Sequence, residues 1–386
     1  MRQVYFDHSA TTPLAPEVFR AMEPYLTANF GNPSSIHFFG QGVRVAIERV
    51  REQVASSLGA EPAEIVFTSG GTEANNFALI GTAFSLCSRG NHIITSQVEH
   101  HSVSESCKYL EKHGYTVTYL PVDGYGQIDP ALVEQAITSR TILISIMLAN
   151  NEVGTINPIE IIGLIAKNRG ILFHTDAVQT LGKLPINIRE VPVDMLSVSG
   201  HKIYGPKGVG ALFIRHGVKI EPLLHGGSQE RNRRAGTENV AGIIGLGEAV
   251  TLCKTRLISD TVKMNNLTDY LYSGLTKNID GVALNGHPSN RIPGLINVNF
   301  EGVFTESLSL NMNLSGIAVS NGSACSSGSM EPSHVLLAMG RSMEEARSAV
   351  RFSLGRGSTK EECDYVIEVL PEIVERLRSV SVKVKL

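Results

Sequence analysis

The chain has 386 residues, 42% of them hydrophobic and 18% charged, with 37 glycines and no tryptophan. That is an ordinary globular composition, long enough for one large domain plus a smaller one. A formal charge of −3 supplies no dense basic surface, so nucleic acid is not expected as a partner. The opening MRQVYFDHSATTP has no apolar run behind its arginine, and no stretch of about 18 uninterrupted apolar residues occurs. Neither a secretory signal nor a membrane span is expected, and the expected location is cytoplasmic.

In chain order, short apolar runs at EIVFTS (64–69), HIITSQ (92–97), TVTYLP (116–121), TILISIML (141–148), ILFHTDA (171–177), DMLSVS (194–199) and GALFIR (210–215) predict buried strands bounded by polar or glycine-rich turns. Between them, TEANNFALIGTAFSLC (72–87) and IEIIGLIAKNRG (159–170) have helical periodicity. Strands alternating with helices predict an α/β fold with a mostly parallel sheet covered on both faces. From about residue 260 the order changes to a long polar helix, a strand (GLINVNF), a Ser/Gly loop and helices to the end. The expected division is a large domain over 15–260 and a smaller α/β domain built from 1–14 and 261–386.

The five cysteines, at 87, 107, 253, 325 and 363, form no CxxC pair and fit no zinc template. Cys87, Cys107, Cys253 and Cys363 lie in helix-like stretches, where a cysteine is ordinarily a small apolar filler. Cys325 differs. It sits in SNGSACSSGSMEPS, a small-residue run that suits an accessible thiol better than packing.

Three segments carry chemistry. In EIVFTSGGTEANN (64–76) a strand runs into Ser69-Gly70-Gly71-Thr72 and a helix begins at once, with Thr72 the expected N-cap and Glu73 in the first turn. Free N–H groups and the dipole at such a helix start make a phosphate site, although neither the Walker pattern nor the dinucleotide fingerprint is present. In ILFHTDAVQT, Asp176 falls at the carboxyl end of a strand, where open α/β sheets bind ligands. A buried carboxylate there needs a cationic partner, and the protonated pyridine nitrogen of pyridoxal phosphate is one. In MLSVSGHKIYGPKGVGALF, Lys202 leaves another buried strand beside Ser199 and His201. Desolvation there would free its amine for a Schiff base, whereas Lys207 reads as a surface cation.

A phosphate cup, a strand-end Asp and a Lys about 25 residues further on form an ordered constellation. With YFDHSATTP, FGNPSSIH, SGGTEANN, VEHHSV, ANNEVGT, HTDAVQ, SGHKIYGPKGVG, GGSQERNRRAGTEN, NGSACSSGSMEPSH and RFSLGR, the chain resembles a fold-type I pyridoxal-phosphate enzyme of the class V aminotransferase superfamily. Within it the resemblance is to cysteine desulfurases of the NifS/IscS type, and it covers nearly the whole chain. It implies an aspartate-aminotransferase-like large domain with a seven-stranded, mostly parallel sheet.

The resemblance also implies roles. Lys202 would hold the cofactor and move the proton at the substrate Cα, and His100 would lie over the ring and assist. Asp176 would pair with the pyridine nitrogen, Gln179 and Asn151 with the O3′ side, and Gly71, Thr72, Ser199 and His201 with the phosphate. Thr237 would reach the phosphate of a neighbouring subunit, implying a homodimer. Arg351 would clamp the carboxylate of L-cysteine in a bidentate fork. Cys325 would take the sulfur as a persulfide, leave alanine, and pass the sulfur to an acceptor or cluster-scaffold protein. No metal site is expected, since a single loop cysteine could ligate a cluster only together with a partner.

Two departures stand out: His8 replaces the more usual asparagine, and the chain ends soon after its last helix, at SVSVKVKL. Relatives that dock a scaffold through a C-terminal extension have more there. The rival readings are a selenocysteine lyase or an aminotransferase, neither of which needs Cys325, and a catalytically idle sulfur or cluster carrier.

Overall fold

The computed structural model describes residues 2–320 and 332–384, so Cys325 lies outside the described residues. After a short strand β1 (Val4–Tyr5), all seven apolar runs are strands: β2 (Ile65–Thr68), β3 (His92–Ser96), β4 (Thr116–Leu120), β5 (Thr141–Ser145), β6 (Leu172–Asp176), β7 (Met195–Ser199) and β8 (Gly210–Ile214). They form one seven-stranded sheet in the order β2-β8-β7-β6-β5-β3-β4. Pairings from β7 through β6, β5 and β3 to β4 are parallel, whereas β8 runs antiparallel to both β2 and β7.

The runs read as continuously apolar because both sheet faces are covered. Successive residues serve opposite cores. Ile65, Phe67, Ile94, Ile144, Leu196 and Phe213 face one cluster with the helices Phe38–Leu58 and Val240–Asn278. Val66, Ile93, Leu143, Met195 and Leu212 face another, with Phe77, Val103 and Cys107. The edge strand β4 is the exception, exposed or half-buried at all but its last residue.

Two local expectations need correction. The helix of the first chemistry-bearing segment starts at Gly71, not after a Thr72 cap. Gly70 is the N-cap with no side-chain cap; Glu73, in the first turn, instead accepts from the Ser69 N–H at 2.7 Å, and Thr72 lines the cavity. The same helical stretch passes through a π turn at Phe77–Gly81 and ends at Ser85. Cys87 therefore falls in the following turn and is exposed, unlike buried Cys107, Cys253 and Cys363.

Beyond the large sheet, β9 (Val282–Asn285), β10 (Leu295–Phe300) and β12 (Ala349–Ser353) form an antiparallel sheet in the order β12-β10-β9, and β11 (Ile317–Ala318) pairs with β1. Phe6, Phe300 and Phe352 fill their core with Leu271, Leu275 and Leu370. The helix Val240–Asn278 joins the two cores: Ile243, Leu246 and Val250 belong to the first, Leu267 and Leu271 to the second. Residue 260 lies inside this continuous helix. No helix among the described residues is long and apolar enough to cross a membrane.

A buried ion pair anchors the loop before that helix. Arg51 donates to both carboxylate oxygens of Glu230, at 2.8 and 2.9 Å, and its guanidinium lies 4.6 Å from the Phe67 ring centre. The Phe67 N–H also donates to Glu230. Glu230, Arg231 and Asn232 all have left-handed φ angles (44°, 58° and 64°), a strained run for non-glycine residues that this clamp holds in place. Removing one partner strands a buried charge, so Glu230→Ala is expected to cost about 3–5 kcal/mol in urea unfolding. The double variant Arg51→Met/Glu230→Leu is expected to recover most of that loss.

Candidate active site

The carboxyl ends of β2, β3, β5, β6 and β7 converge, as ligand sites in open α/β sheets do. They surround a cavity of about 250 Å³ whose lining includes Gly71, Thr72, His100, Asn151, Asp176, Gln179, Ser199, His201, Lys202 and Arg351. Every predicted site position is brought together there except two. Thr237 is exposed on the loop before the helix Val240–Asn278 and does not line the cavity, and Cys325 lies outside the described residues. Lys207 is exposed.

At one end of the cavity, Gly71 opens the helix that follows β2 and passes against the start of the β6–β7 connection. A Cβ on Gly71 would stand 2.6 Å from Val178 Cγ2 and 3.6 Å from Ser199 Cβ, so a larger residue would fill the cup. Ser199 Oγ is buried there without a hydrogen-bond partner among the described residues. Such a group carries a desolvation cost until an acceptor arrives. His201 lies beside it, with Nδ1 3.2 Å from Thr11 Oγ1. Burial, with Lys202 and Lys207 nearby, lowers its pKa to about 4, so at neutral pH it offers a neutral imidazole. An orphaned hydroxyl, a helix start and a cradle without side chains fit a phosphate group.

The centre is organised by Asp176, which ends β6 and is buried. One carboxylate oxygen accepts from the Val178 N–H (2.9 Å) and the other from Asn75 Nδ2 (2.6 Å). Asn75 also donates to Ser102 Oγ (2.8 Å), which lies 2.8 Å from His100 Nδ1. The backbone N–H of Ser102 donates to the same nitrogen. Nδ1 is therefore an acceptor, and the proton of the neutral ring sits on Nε2. Burial is the largest influence on His100 and holds its pKa below the ordinary value; Asp176 opposes this, and Lys202 adds to it.

Lys202 leaves β7 through a single 3-10 turn. Its amine donates to the Ser9 and Ala10 carbonyls, at 2.5 and 2.8 Å, which ties the N-terminal segment to the site. Gln179 Nε2 donates to the same Ser9 oxygen at 2.9 Å. Arg351, on β12, is buried to 1% exposure; it donates to the Asn151 carbonyl and to Asp7 Oδ1, both at 2.9 Å. His8 turns away, with Nδ1 3.0 Å from the Ser353 carbonyl.

Several lining residues carry functions the motifs did not assign. Asn75 and Ser102 lie inside SGGTEANN and VEHHSV, but only the fold shows them linking Asp176 to His100. Glu99, beside His100, is fully buried. Its Oε1 accepts from Ser96 Oγ (2.7 Å) and from the Met147 N–H (3.0 Å), and its own carbonyl accepts from His334 Nε2 (3.0 Å). Adjacent apolar residues give no hint of such burial in the sequence.

A family model described as Aminotransferase class-V matches residues 4–366, and the chain belongs to that family. It is similar to the cysteine desulfurase IscS of Dictyoglomus turgidum, with 55% identity over 98% of this chain and 96% of the relative. A solved NifS-like protein superposes with a TM-score of 0.92 at 39% identity, covering 97% of this chain and 100% of the other. A structure described as SspA in complex with cysteine superposes at 0.83, also at 39% identity, covering 92% and 100%.

Burial pushes the Glu99 carboxyl up to about 8, against the hydrogen bonds from Ser96 and Met147 that favour ionisation. Folding therefore binds a proton there, and this contribution to stability is lost as pH rises from the ordinary carboxylate range through about 8. Glu99→Gln keeps the accepting oxygen and cannot ionise. Urea unfolding between pH 5 and 8 is expected to show a downward slope in the wild type that this variant lacks. Equal slopes would remove the assignment of a protonated Glu99.

Proposed function

We propose that the protein is a cysteine desulfurase that uses pyridoxal phosphate to move sulfur from L-cysteine to Cys325, leaving L-alanine. The observation that carries this reading is one cavity lined by the Lys202 amine, the Asp176 carboxylate, the His100 imidazole, the Arg351 guanidinium and the orphaned Ser199 hydroxyl. These donors fit the cofactor. Gly71, Thr72, Ser199 and His201 would hold its phosphate, Asp176 its ring nitrogen, Gln179 and Asn151 its O3′ side, and Lys202 its carbonyl carbon. When bound, the cofactor supplies an electron sink for the pair left at the substrate Cα.

The chain's own groups do the rest. Arg351 would bind the substrate carboxylate, exchanging its bond to Asp7, and so fixes which face of Cα meets Lys202. Lys202 Nζ would take the proton from Cα and return one later. His100, neutral with its proton on Nε2, would hold or deliver a proton over the ring. The Cys325 thiolate would attack the substrate sulfur. The C–S bond breaks with its electron pair staying on Cβ, which gains a proton; sulfur leaves as the outer atom of a Cys325 persulfide. L-cysteine plus thiol thus balances to L-alanine plus persulfide. The thiolate is the required nucleophile.

The same reading includes a homodimer in which exposed Thr237 reaches the partner's phosphate. It also includes an acceptor protein serving iron–sulfur assembly or another sulfur pathway in the cytoplasm, and the two-domain division at residue 260.

The test is alanine and sulfide release from L-cysteine under reductant. Lys202→Ala is expected to lose both the bound chromophore and activity. Cys325→Ala should keep the chromophore and make no sulfide, and His100→Ala should lose about 10²–10⁴-fold in rate. Normal turnover by Cys325→Ala would shift the assignment to a selenocysteine lyase or aminotransferase.

A further inference from the structure

Behind the described cavity lies a second basic residue that no step above uses. Lys183 lies seven residues beyond the end of β6 and is half-buried, lining a small pocket with His8, Lys202, Tyr204, Cys253 and Asp260. The turn that aims it inward depends on Gly182, whose φ is +75° and where a Cβ would meet Cys253 Sγ at 2.5 Å. A lysine drawn into the interior is costly to keep, and here its Nζ has a specific partner: it donates to Gln179 Oε1 at 3.2 Å.

That contact decides how Gln179 is oriented. A charged lysine amine has only donors to offer, and a neutral one keeps two N–H donors for Oε1 beside its lone pair. On its other side the amide faces the Ser9 carbonyl, which is acceptor only and receives Nε2 at 2.9 Å. The flipped amide would set an N–H against the Lys183 donors and oxygen against oxygen at Ser9. The Ser9 end rejects it in either protonation state of Lys183, and the Lys183 end rejects it when the amine is charged, so the choice is made by chemistry and not by the similar shape of the two amide atoms. The Ser9 carbonyl is also the acceptor of Lys202 Nζ. A continuous path therefore runs from Lys183 through Gln179 and Ser9 to Lys202. Burial is the largest cause that brings the Lys183 amine down to about 7, with Lys202 and Arg351 adding to it; hydrogen bonding to Gln179 survives either protonation state.

We propose that Lys183 is a positioning residue of the active site: it locks the Gln179 amide so that an N–H faces the cofactor cavity and the Ser9 carbonyl stays in register with Lys202. This rests on the cofactor role proposed above for the cavity.

The test uses full-length protein reconstituted with pyridoxal phosphate, and reads cofactor loss on dilution together with the visible spectrum. Lys183→Met, which keeps the length and apolar volume without a donor, is expected to speed cofactor loss about tenfold, the effect of one hydrogen bond. Gln179→Leu should do the same, and the two variants should share one altered spectrum. The double variant should be no worse than Gln179→Leu alone, because Lys183 acts only through Gln179. Lys183→Gln, which restores a donor without charge, should return the loss rate to within about threefold of wild type. This variant also decides the matter if Lys183→Met does not fold. Effects that multiply in the double variant, a Lys183→Met protein indistinguishable from wild type, or a Lys183→Gln protein that loses cofactor about tenfold faster, each overturn the proposal. A wild type that takes up no cofactor would instead overturn the parent reading.

Discussion

A sheet covered on both faces has almost nowhere to put a polar side chain except at the ends of its strands. That constraint shapes the rest of this molecule. β3, β5, β7 and β8 are buried along their whole length and β6 at all but its first residue, so many of the charged and hydrogen-bonding groups collect where the strands stop. Asp176 is the last residue of β6, and Ser199 is the last of β7. His100 and Asn151 follow β3 and β5 by a few residues. The chemistry of the cavity follows from a packing requirement of the sheet beneath it.

Once gathered, buried polar groups must satisfy one another, and the way they do so sets their chemical states. Asp176 is bonded by two neutral N–H donors in the described residues, from Val178 and Asn75. Neutral donors stabilise a carboxylate without cancelling its charge, so the site keeps a negative potential where a cationic ring nitrogen would sit. The same Asn75 passes the order on to Ser102 and His100, which assigns the imidazole proton to Nε2. Around the rim, His201 is held neutral by burial and by the cations beside it. The cavity thus separates an anionic centre from a neutral and cationic surround.

Much of this was legible beforehand, because the signals were local. Seven apolar runs bounded by turn residues gave seven strands, and the strand-end Asp176 and Lys202 both line the cavity. What stayed hidden depends on contacts between distant segments. The cup helix begins one residue before the expected cap Thr72, with Gly70 at its N-cap, and Glu73 reaches back to the Ser69 N–H. Cys87 shares the helical stretch's periodicity, yet the helix ends two residues earlier. Arg351 sits near the C-terminus, where an arginine is commonly solvated, but Asp7 and the Asn151 carbonyl, both far away in sequence, hold it in the interior. Lys183 lies in none of the motifs that the sequence analysis singles out, and only its contact with Gln179 marks it.

The N-terminal segment is the strongest case of such long-range dependence. Residues 7–12 belong to no long element, yet they contact nearly every functional part. Asp7 bonds Arg351, Ser9 and Ala10 accept from Lys202, and Ser9 accepts from Gln179 as well. The Thr12 N–H and hydroxyl both donate to the His201 carbonyl. The segment is anchored in turn by β1 pairing with β11 and by His8 and Ser9 bonding Ser353. Because β11 and β12 belong to the second core, any shift of that core relative to the large sheet would move the carbonyls that hold Lys202 and the carboxylate that holds Arg351 together. Arg351 and Lys202 are therefore coupled through the backbone of residues 7–10, with no direct contact between them required.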